Sequence, residues 1–231
     1  MTTSLSYRIS VPFRGNRIFV VGELMIVCGL LALELKDAPG LLLVFPLGLI
    51  SLGLRKLGWH GVGLRRPAKW PRTLGLGVLI GIITQLIAMW LIDPWLVRLT
   101  GQPFNIEQFA RLPGSLPNLM VWILIGWLLG AFLEELVFRG YLLNRFTDLL
   151  GDNRLGLTVG VIVVSLLFAI GHTNLGITSV LETFIFALFY AGLYLAAGRN
   201  LWLPIIAHGV YNTFMFVLLY LGYNPVWMSM N

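Results

Sequence analysis

Two adjacent carboxylates, Glu134 and Glu135, and a guanidinium, Arg139, stand in a stretch that is apolar on both sides, with no charged residue from Leu119 to Leu133. A charged side chain at mid-bilayer costs roughly 2.5–3.5 kcal/mol on translocon insertion scales, so such a cluster needs both partners and a purpose. Glu135 and Arg139 are i,i+4 on a helix with the acid first, the better order for a pair. Glu134 is rotated about 100° from Glu135 and has to be satisfied across the bundle. A lone Glu–Arg pair reads as a fastener between helices. The second carboxylate moves the reading toward chemistry, because neighbouring carboxylates in different surroundings take different roles.

Two further stretches supply groups that could answer. His172 follows Phe168 by four residues at the end of an otherwise uncharged apolar run. His208 and Asn212 are i,i+4 near the start of the last apolar run, so they project from one face and can address one point. Histidine and asparagine inside an apolar helix require polar partners. Of the chain's three histidines, His172 and His208 belong to apolar runs, while His60 sits in a basic loop and reads as interfacial.

Hydrolysis of a peptide bond needs a base to activate water and donors to hold the developing oxyanion. Glu134 with His172 could hold and deprotonate the water, with His208 and Asn212 facing the oxyanion. The same residue types also suit a Zn²⁺ site, with Glu134, His172 and His208 as three protein ligands and water as the fourth. No His-Glu-x-x-His helix is present, and residue types alone leave both chemistries open. Intramembrane Glu, Arg and His are also parts of a proton relay, which makes a proton-coupled transporter the alternative class. The lack of a visible internal repeat argues against that alternative. A third is a catalytically silent membrane partner that binds a peptide in the same place.

The elements that must position these groups are membrane helices. Of 231 residues, 58% are hydrophobic and 11% charged, whereas soluble domains carry about 25% charged residues. The expected fold is an all-α, polytopic helical bundle with about seven transmembrane helices plus an interfacial helix. The spans fall at about 18–35, 39–54, 73–92, from 117 onward, 157–171, 177–197 and 202–221, each near the ~20 residues a crossing requires. The fourth is expected to run past Gly140 into an amphipathic stretch, 141–150. Residues 55–72 form a basic loop, and 93–116 read as a polar connector broken by Pro94, Pro103 and Pro113. Residues 1–116 are then N-terminal helices and basic loop, 117–222 the catalytic core, within one membrane domain.

Residues 1–17 imitate a signal peptide, but the run from Ile18 is too long and holds Glu23, so it reads as a retained first span. The net charge of +6 comes from short basic runs between apolar spans, which speaks for charge bias across a membrane and not for nucleic acid. With the N-terminus cytoplasmic, the inner side holds Arg8, Arg14, Arg17, the six bases of the 55–72 loop, Arg145, Arg154 and Arg199. The outer side holds Lys36, Arg98 and Arg111. That bias sets the expected orientation. On this topology His172 lies about 15 residues, or ~23 Å, from the inner end of its helix, and His208 only ~9 Å into its own. The two meet only if the helix before His172 tilts or starts late.

Smaller signals complete the reading. The one cysteine, Cys28, excludes an intrachain disulfide and reads as a structural thiol. Glu34 beside Lys36 reads as interfacial, and Glu23 and Glu182 as second-tier or pathway carboxylates. Trp59, Trp70, Trp95, Trp202 and Trp227 stand near span ends, as an aromatic belt would. Gly75, Gly77 and Gly81, and Ala187 with Ala191, are small-residue patterns of close helix packing.

Glu134-Glu135-x-x-x-Arg139, then Phe168-x-x-x-His172, then His208-x-x-x-Asn212, on successive helices, resemble the motifs of the CPBP intramembrane proteases. That family includes the type II CAAX prenyl endopeptidases and the bacteriocin-processing, Abi-like proteins. The resemblance covers about 121–216 with all three motifs complete, and residues 1–116 carry none of them. It implies a polytopic helical fold and an endopeptidase acting near the membrane surface. By the family pattern Glu134 is the water-activating base with His172, His208 and Asn212 steady the oxyanion, and Glu135, Arg139 and Phe168 support them. The implied partners are a peptide or protein substrate, prenylated or a leader peptide, and membrane lipids, with no nucleic acid. Both a metalloprotease and a metal-free, glutamate-dependent mechanism go with the resemblance, so Zn²⁺ as cofactor stays open. The expected location is a bacterial plasma membrane.

Overall fold

The computed structural model of the chain describes residues 16–33 and 40–223, and within them the regular structure is helical. Expectations for Arg8, Arg14, Glu34, Lys36 and Trp227 lie outside the described residues. Seven apolar helices follow the seven apolar runs: α1 (Arg17–Leu31), α2 (Gly40–Leu54), α3 (Trp70–Thr100), α4 (Leu116–Leu150), α5 (Arg154–Ile170), α6 (Ile177–Ala196) and α7 (Trp202–Tyr220). Asn16 caps α1 by accepting from the N–H groups of Ile18 and Phe19, and Asn153 caps α5 through Gly156, each satisfying donors a helix start leaves unpaired.

Four of the seven, α3, α4, α6 and α7, are long and apolar enough to cross a membrane. The protein is an integral membrane protein. α2 and α5 are shorter, at 15 and 17 residues, or roughly 22–26 Å against a hydrocarbon core of ~30 Å. Apolar side chains on the membrane-facing surface remain exposed, among them Ile83, Leu124, Leu128 and Ile162. Lipid supplies their environment, so exposure there carries no penalty.

Two expectations are corrected. The stretch after Ile92 does not leave the helix: α3 runs on through Asp93 and Pro94 to Thr100. A π turn at Ala88–Ile92 precedes the proline, with the Asp93 N–H donating to the Ala88 carbonyl. That wider register absorbs the backbone donor Pro94 lacks. Arg55, counted with the bases of the 55–72 loop, is fully buried. Its guanidinium meets Glu23 of α1 and the Ser51 hydroxyl, because a cation at the end of an apolar helix needs a counter-charge wherever the chain packs over it.

Close helix approach follows the glycines. A Cβ at Gly77 would fall 2.6 Å from Ile206, and one at Gly81 would fall 2.5 Å from the Ala207 carbonyl. α3 and α7 therefore touch almost backbone to backbone. They run in the same direction, since Trp70 and Trp202, at their starts, pack edge to face at 5.1 Å. Gly75 has nothing near its missing Cβ. The loops at 63–65 and 198–201 join at this end through Leu201 N–H to Gly63 carbonyl and Asn200 to Arg65 carbonyl. At the opposite end the connector after Thr100 is tied down by Asn105 N–H to Leu175 carbonyl and Gly114 N–H to Tyr220 carbonyl.

Candidate active site

Between α3, α4, α6 and α7 lies a cavity of about 310 Å³. Glu134, Phe168, His172, His208 and Asn212 all line it, so the residues singled out by type and spacing come to one place. His172, just past the end of α5 at Ile170, and His208, in the second turn of α7, both line this cavity although α5 does not start late.

The central helix α4 is not a regular α-helix here. Its middle consists of two π stretches, Gly126–Leu133 and Glu135–Leu142, with Glu134 at the junction. π turns inside helices concentrate at functional sites because they turn side chains out of the ordinary register. Glycines in the first stretch make room for α7. A Cβ at Gly130 would come 2.9 Å from Asn212 Nδ2, and one at Gly126 would come 2.7 Å from Phe216. From the other side, a Cβ at Gly209 would strike Trp127 at 2.6 Å. This tight seam lets Asn212 Nδ2 donate to the Gly126 carbonyl at 3.3 Å, leaving the second amide N–H and the amide oxygen for other partners.

Behind the cavity Glu135 is completely buried, and its Oε1 accepts from Arg139 Nη1 at 3.1 Å and from His208 Nδ1 at 3.0 Å. The expected i,i+4 pair is present, with an addition. Glu135 is not only a partner inside its own helix; it also holds His208 across the bundle. The other ring nitrogen, His208 Nε2, lies 3.9 Å from Glu134 Oε2, so one imidazole stands between the two carboxylates. Its face stacks on Tyr190 at 5.0 Å and 17°. Arg139 reaches on to donate to the Ala187 carbonyl at 3.0 Å.

Phe168 links the arginine to the second histidine. Its ring lies under the Arg139 guanidinium at 4.9 Å and against the His172 ring at 4.9 Å. A desolvated cation–π contact of this kind contributes about 2 kcal/mol. The Phe168 carbonyl, 2.9 Å from His172 Nδ1, can only accept. Nδ1 therefore carries the proton, and in the neutral ring Nε2 keeps its lone pair.

A Zn²⁺ site was one of two chemistries open to these residue types. Each histidine has one ring nitrogen anchored to an oxygen, as metal ligands do. Yet among the described residues no three His, Cys, Asp or Glu side chains draw together into a metal-binding group. Glu134, His172 and His208 as placed do not fit a three-ligand centre.

Other residues of the cavity escaped the sequence reading. Tyr190 is spaced like any core aromatic. Asp93 stands before a proline, which hides that it belongs to a span, and Gln85 follows Thr84 in a run otherwise apolar. Those two polar residues deep in α3 are the signal that could have found this wall. Glu182 lines the cavity and accepts from the Tyr211 hydroxyl at 2.6 Å. His60 is exposed, as an interfacial residue would be.

Residues 116–214 match the family model described as Rce1-like, type II CAAX prenyl endopeptidase Rce1-like. No curated protein and no solved structure matches the chain. The matched stretch contains Glu134, Glu135, Arg139, Phe168, His172, His208 and Asn212. It is the stretch whose three motifs resemble those of the CPBP proteases, and such a family implies a protease. The match over residues 116–214 is consistent with a CPBP-family intramembrane protease.

Proposed function

We propose that the protein is an intramembrane endopeptidase that hydrolyses a peptide bond presented to the α3–α4–α6–α7 cavity near the membrane surface. The observation that carries the reading is the convergence of Glu134, His172, His208 and Asn212 on that cavity, with both histidines anchored from behind. Glu134 takes the proton of the attacking water and returns it to the leaving amine as the carbon–nitrogen bond breaks and the tetrahedral intermediate collapses. His172 Nε2, its tautomer set by the Phe168 carbonyl, accepts a hydrogen bond from the same water and orients it. As the bond is attacked, negative charge builds on the carbonyl oxygen. Asn212 offers its remaining N–H to that oxygen. His208 offers Nε2–H, a role that requires both ring nitrogens protonated because Nδ1–H is already given to Glu135. General-base chemistry of this kind is worth roughly 10²–10⁴-fold in rate, and each oxyanion donor roughly 10²–10³-fold.

Glu135, Arg139 and Phe168 are positioning residues. The pair holds His208, and Phe168 holds Arg139 and His172 at a fixed spacing. In this reading residues 117–222 are the catalytic core, and the helices before it complete the bundle. The substrate is a peptide or protein tail, and prenylated or leader sequences are the candidates to try first. The test is mass spectrometry of products from a peptide library incubated with purified wild type and with Glu134→Ala. Defined cleavage products from the wild type alone are expected. Equal products from both proteins would sink the assignment of Glu134.

A further inference from the structure

Part of the cavity lining is acidic and incompletely satisfied. Asp93 and Gln85 of α3 and Tyr190 of α6 are each at most 3% exposed, and all three line the cavity. Asp93 Oδ1, Gln85 Oε1 and the Tyr190 hydroxyl have no hydrogen-bond partner among the described residues. Glu182 lines the same cavity. One of its oxygens is taken by Tyr211. A buried acceptor left unmatched costs about 1–3 kcal/mol, and two carboxylates in one low-dielectric space repel unless something positive lies between them. Acceptors therefore dominate this part of the lining, and none of the roles assigned to Glu134, His172, His208 and Asn212 uses them.

The space in front of them fits one kind of group. Phe104, Phe109 and Phe186 supply apolar surface to the same cavity, which suits a side chain with a hydrocarbon stem and a cationic tip. A bare divalent ion is disfavoured, since no three His, Cys, Asp or Glu side chains cluster here among the described residues. Tyr190 joins these acceptors to the histidine: its ring stacks on His208 while its hydroxyl is unmatched. A side chain held at Asp93 and Glu182 would thus share one cavity with Glu134 and His172.

We propose that Asp93, Glu182 and Gln85 form a specificity subsite that binds the side chain of a lysine or arginine close to the scissile bond of the substrate. This rests on the endopeptidase reading for its biological meaning, but the binding can be measured without cleavage. Two assays on the full-length protein in detergent separate them. In the first, n-hexylammonium and n-hexanol are compared for thermal stabilisation of wild type, Asp93→Asn and Glu182→Gln. The wild type is expected to be stabilised by the cation and not the alcohol, and either variant to lose that difference. In the second, peptides with a single lysine, or norleucine in its place, at successive positions around the cleaved bond are compared by kcat/KM. Lysine is expected to win by roughly 30-fold at one or two positions, the ratio that losing a buried charge partner removes, and to lose that advantage in both variants. If no peptide is cleaved, the endopeptidase reading fails and the hexylammonium assay alone decides the subsite. Equal response to cation and alcohol, or a lysine preference that survives both variants, overturns the proposal and leaves the carboxylates as a pair sharing a proton or water. Unchanged unfolding midpoints of the ligand-free variants identify a lost response as lost binding.

Discussion

Two buried Glu–Arg clusters sit in the same bundle, and the spaces they border differ in kind. The first joins Glu23 of α1 to Arg55 at the end of α2, with Ser51 and the Tyr141 hydroxyl completing it. The second joins Glu135 to Arg139 within α4, with His208 and the Ala187 carbonyl completing it. Both arginines are at most 2% exposed. Beside the first, Glu23 and Ser51 border a space of about 410 Å³ whose remaining lining, from α1 and α2, is apolar; beside the second lies about 310 Å³, lined also by Glu134, His172 and Asn212. The first cluster ends in groups that serve each other. The second passes its charge outward through His208 to Glu134 and the cavity. A buried ion pair in a membrane bundle is therefore not itself a sign of function. What distinguishes the second is a surplus of polar side chains, Glu134, His172 and Asn212, gathered in the cavity beside it.

The largest expected effect tests that surplus. Glu134→Gln keeps shape and loses the base, so kcat is expected to fall by roughly 10³–10⁴-fold with the thermal unfolding midpoint in detergent within error of wild type. A drop in both would mean that Glu134 fastens helices as Glu23 does. The opposite pattern is expected at the other cluster. Arg55→Ala leaves Glu23 buried without its counter-charge, a loss of about 3–5 kcal/mol. It is read as a lowered denaturation midpoint, with kcat per folded molecule almost unchanged. If Arg55→Ala instead abolishes turnover in protein that is still folded, the two clusters are coupled and the division between them fails.

Glu135→Gln should fall between these extremes. It weakens the Arg139 and His208 contacts together, so a loss of roughly 10²-fold in kcat/KM should accompany a smaller fall in stability, about 1–3 kcal/mol. Asn212→Leu is expected to cost a similar 10²-fold in kcat with KM little changed, since its amide acts as charge develops. A pure KM effect would place Asn212 in ground-state binding instead.

Much of this division is legible in the sequence, and the parts that are not share one cause. The apolar runs, the i,i+4 spacing of Glu135 with Arg139 and of His208 with Asn212, and the glycines at 77 and 81 are local patterns, and local geometry determines what they do. Glu23 and Arg55 are 32 residues apart and become partners only when α1 packs on the end of α2. Counting Arg55 with the bases of the 55–72 loop was reasonable by composition and wrong by packing. Asp93 is hidden by Pro94, because the π turn that lets α3 continue has no composition of its own. Glu135 likewise shows its bond to Arg139 in the spacing, while its bond to His208, 73 positions on, belongs to the tertiary fold. Cross-helix partners of buried charges are decided by which faces meet.

The smallest expected effect is the sharpest test of the comparison. If the first cluster only fastens α1, α2 and α4, apolar groups of similar volume should do its work. Replacing one member strands the others, so the change has to be made as a set: Glu23→Leu, Arg55→Met and Tyr141→Phe together. Removing a buried ion pair with all its partners avoids the desolvation cost of both charges, and such replacements are neutral or stabilising by roughly 1–4 kcal/mol. The triple variant is thus expected to unfold within about 1 kcal/mol of wild type or later, and to cleave peptide at the wild-type rate. Ser51 is small and polar, and its hydroxyl can turn to a backbone carbonyl one helical turn back once Arg55 is gone. The same treatment at the second cluster, Glu135→Leu with Arg139→Met, should leave a folded protein without activity, since His208 then has no carboxylate behind it. Equal outcomes for the two sets, whether both active or both dead, would erase the distinction between fastener and active site on which the assignment of Glu134 rests.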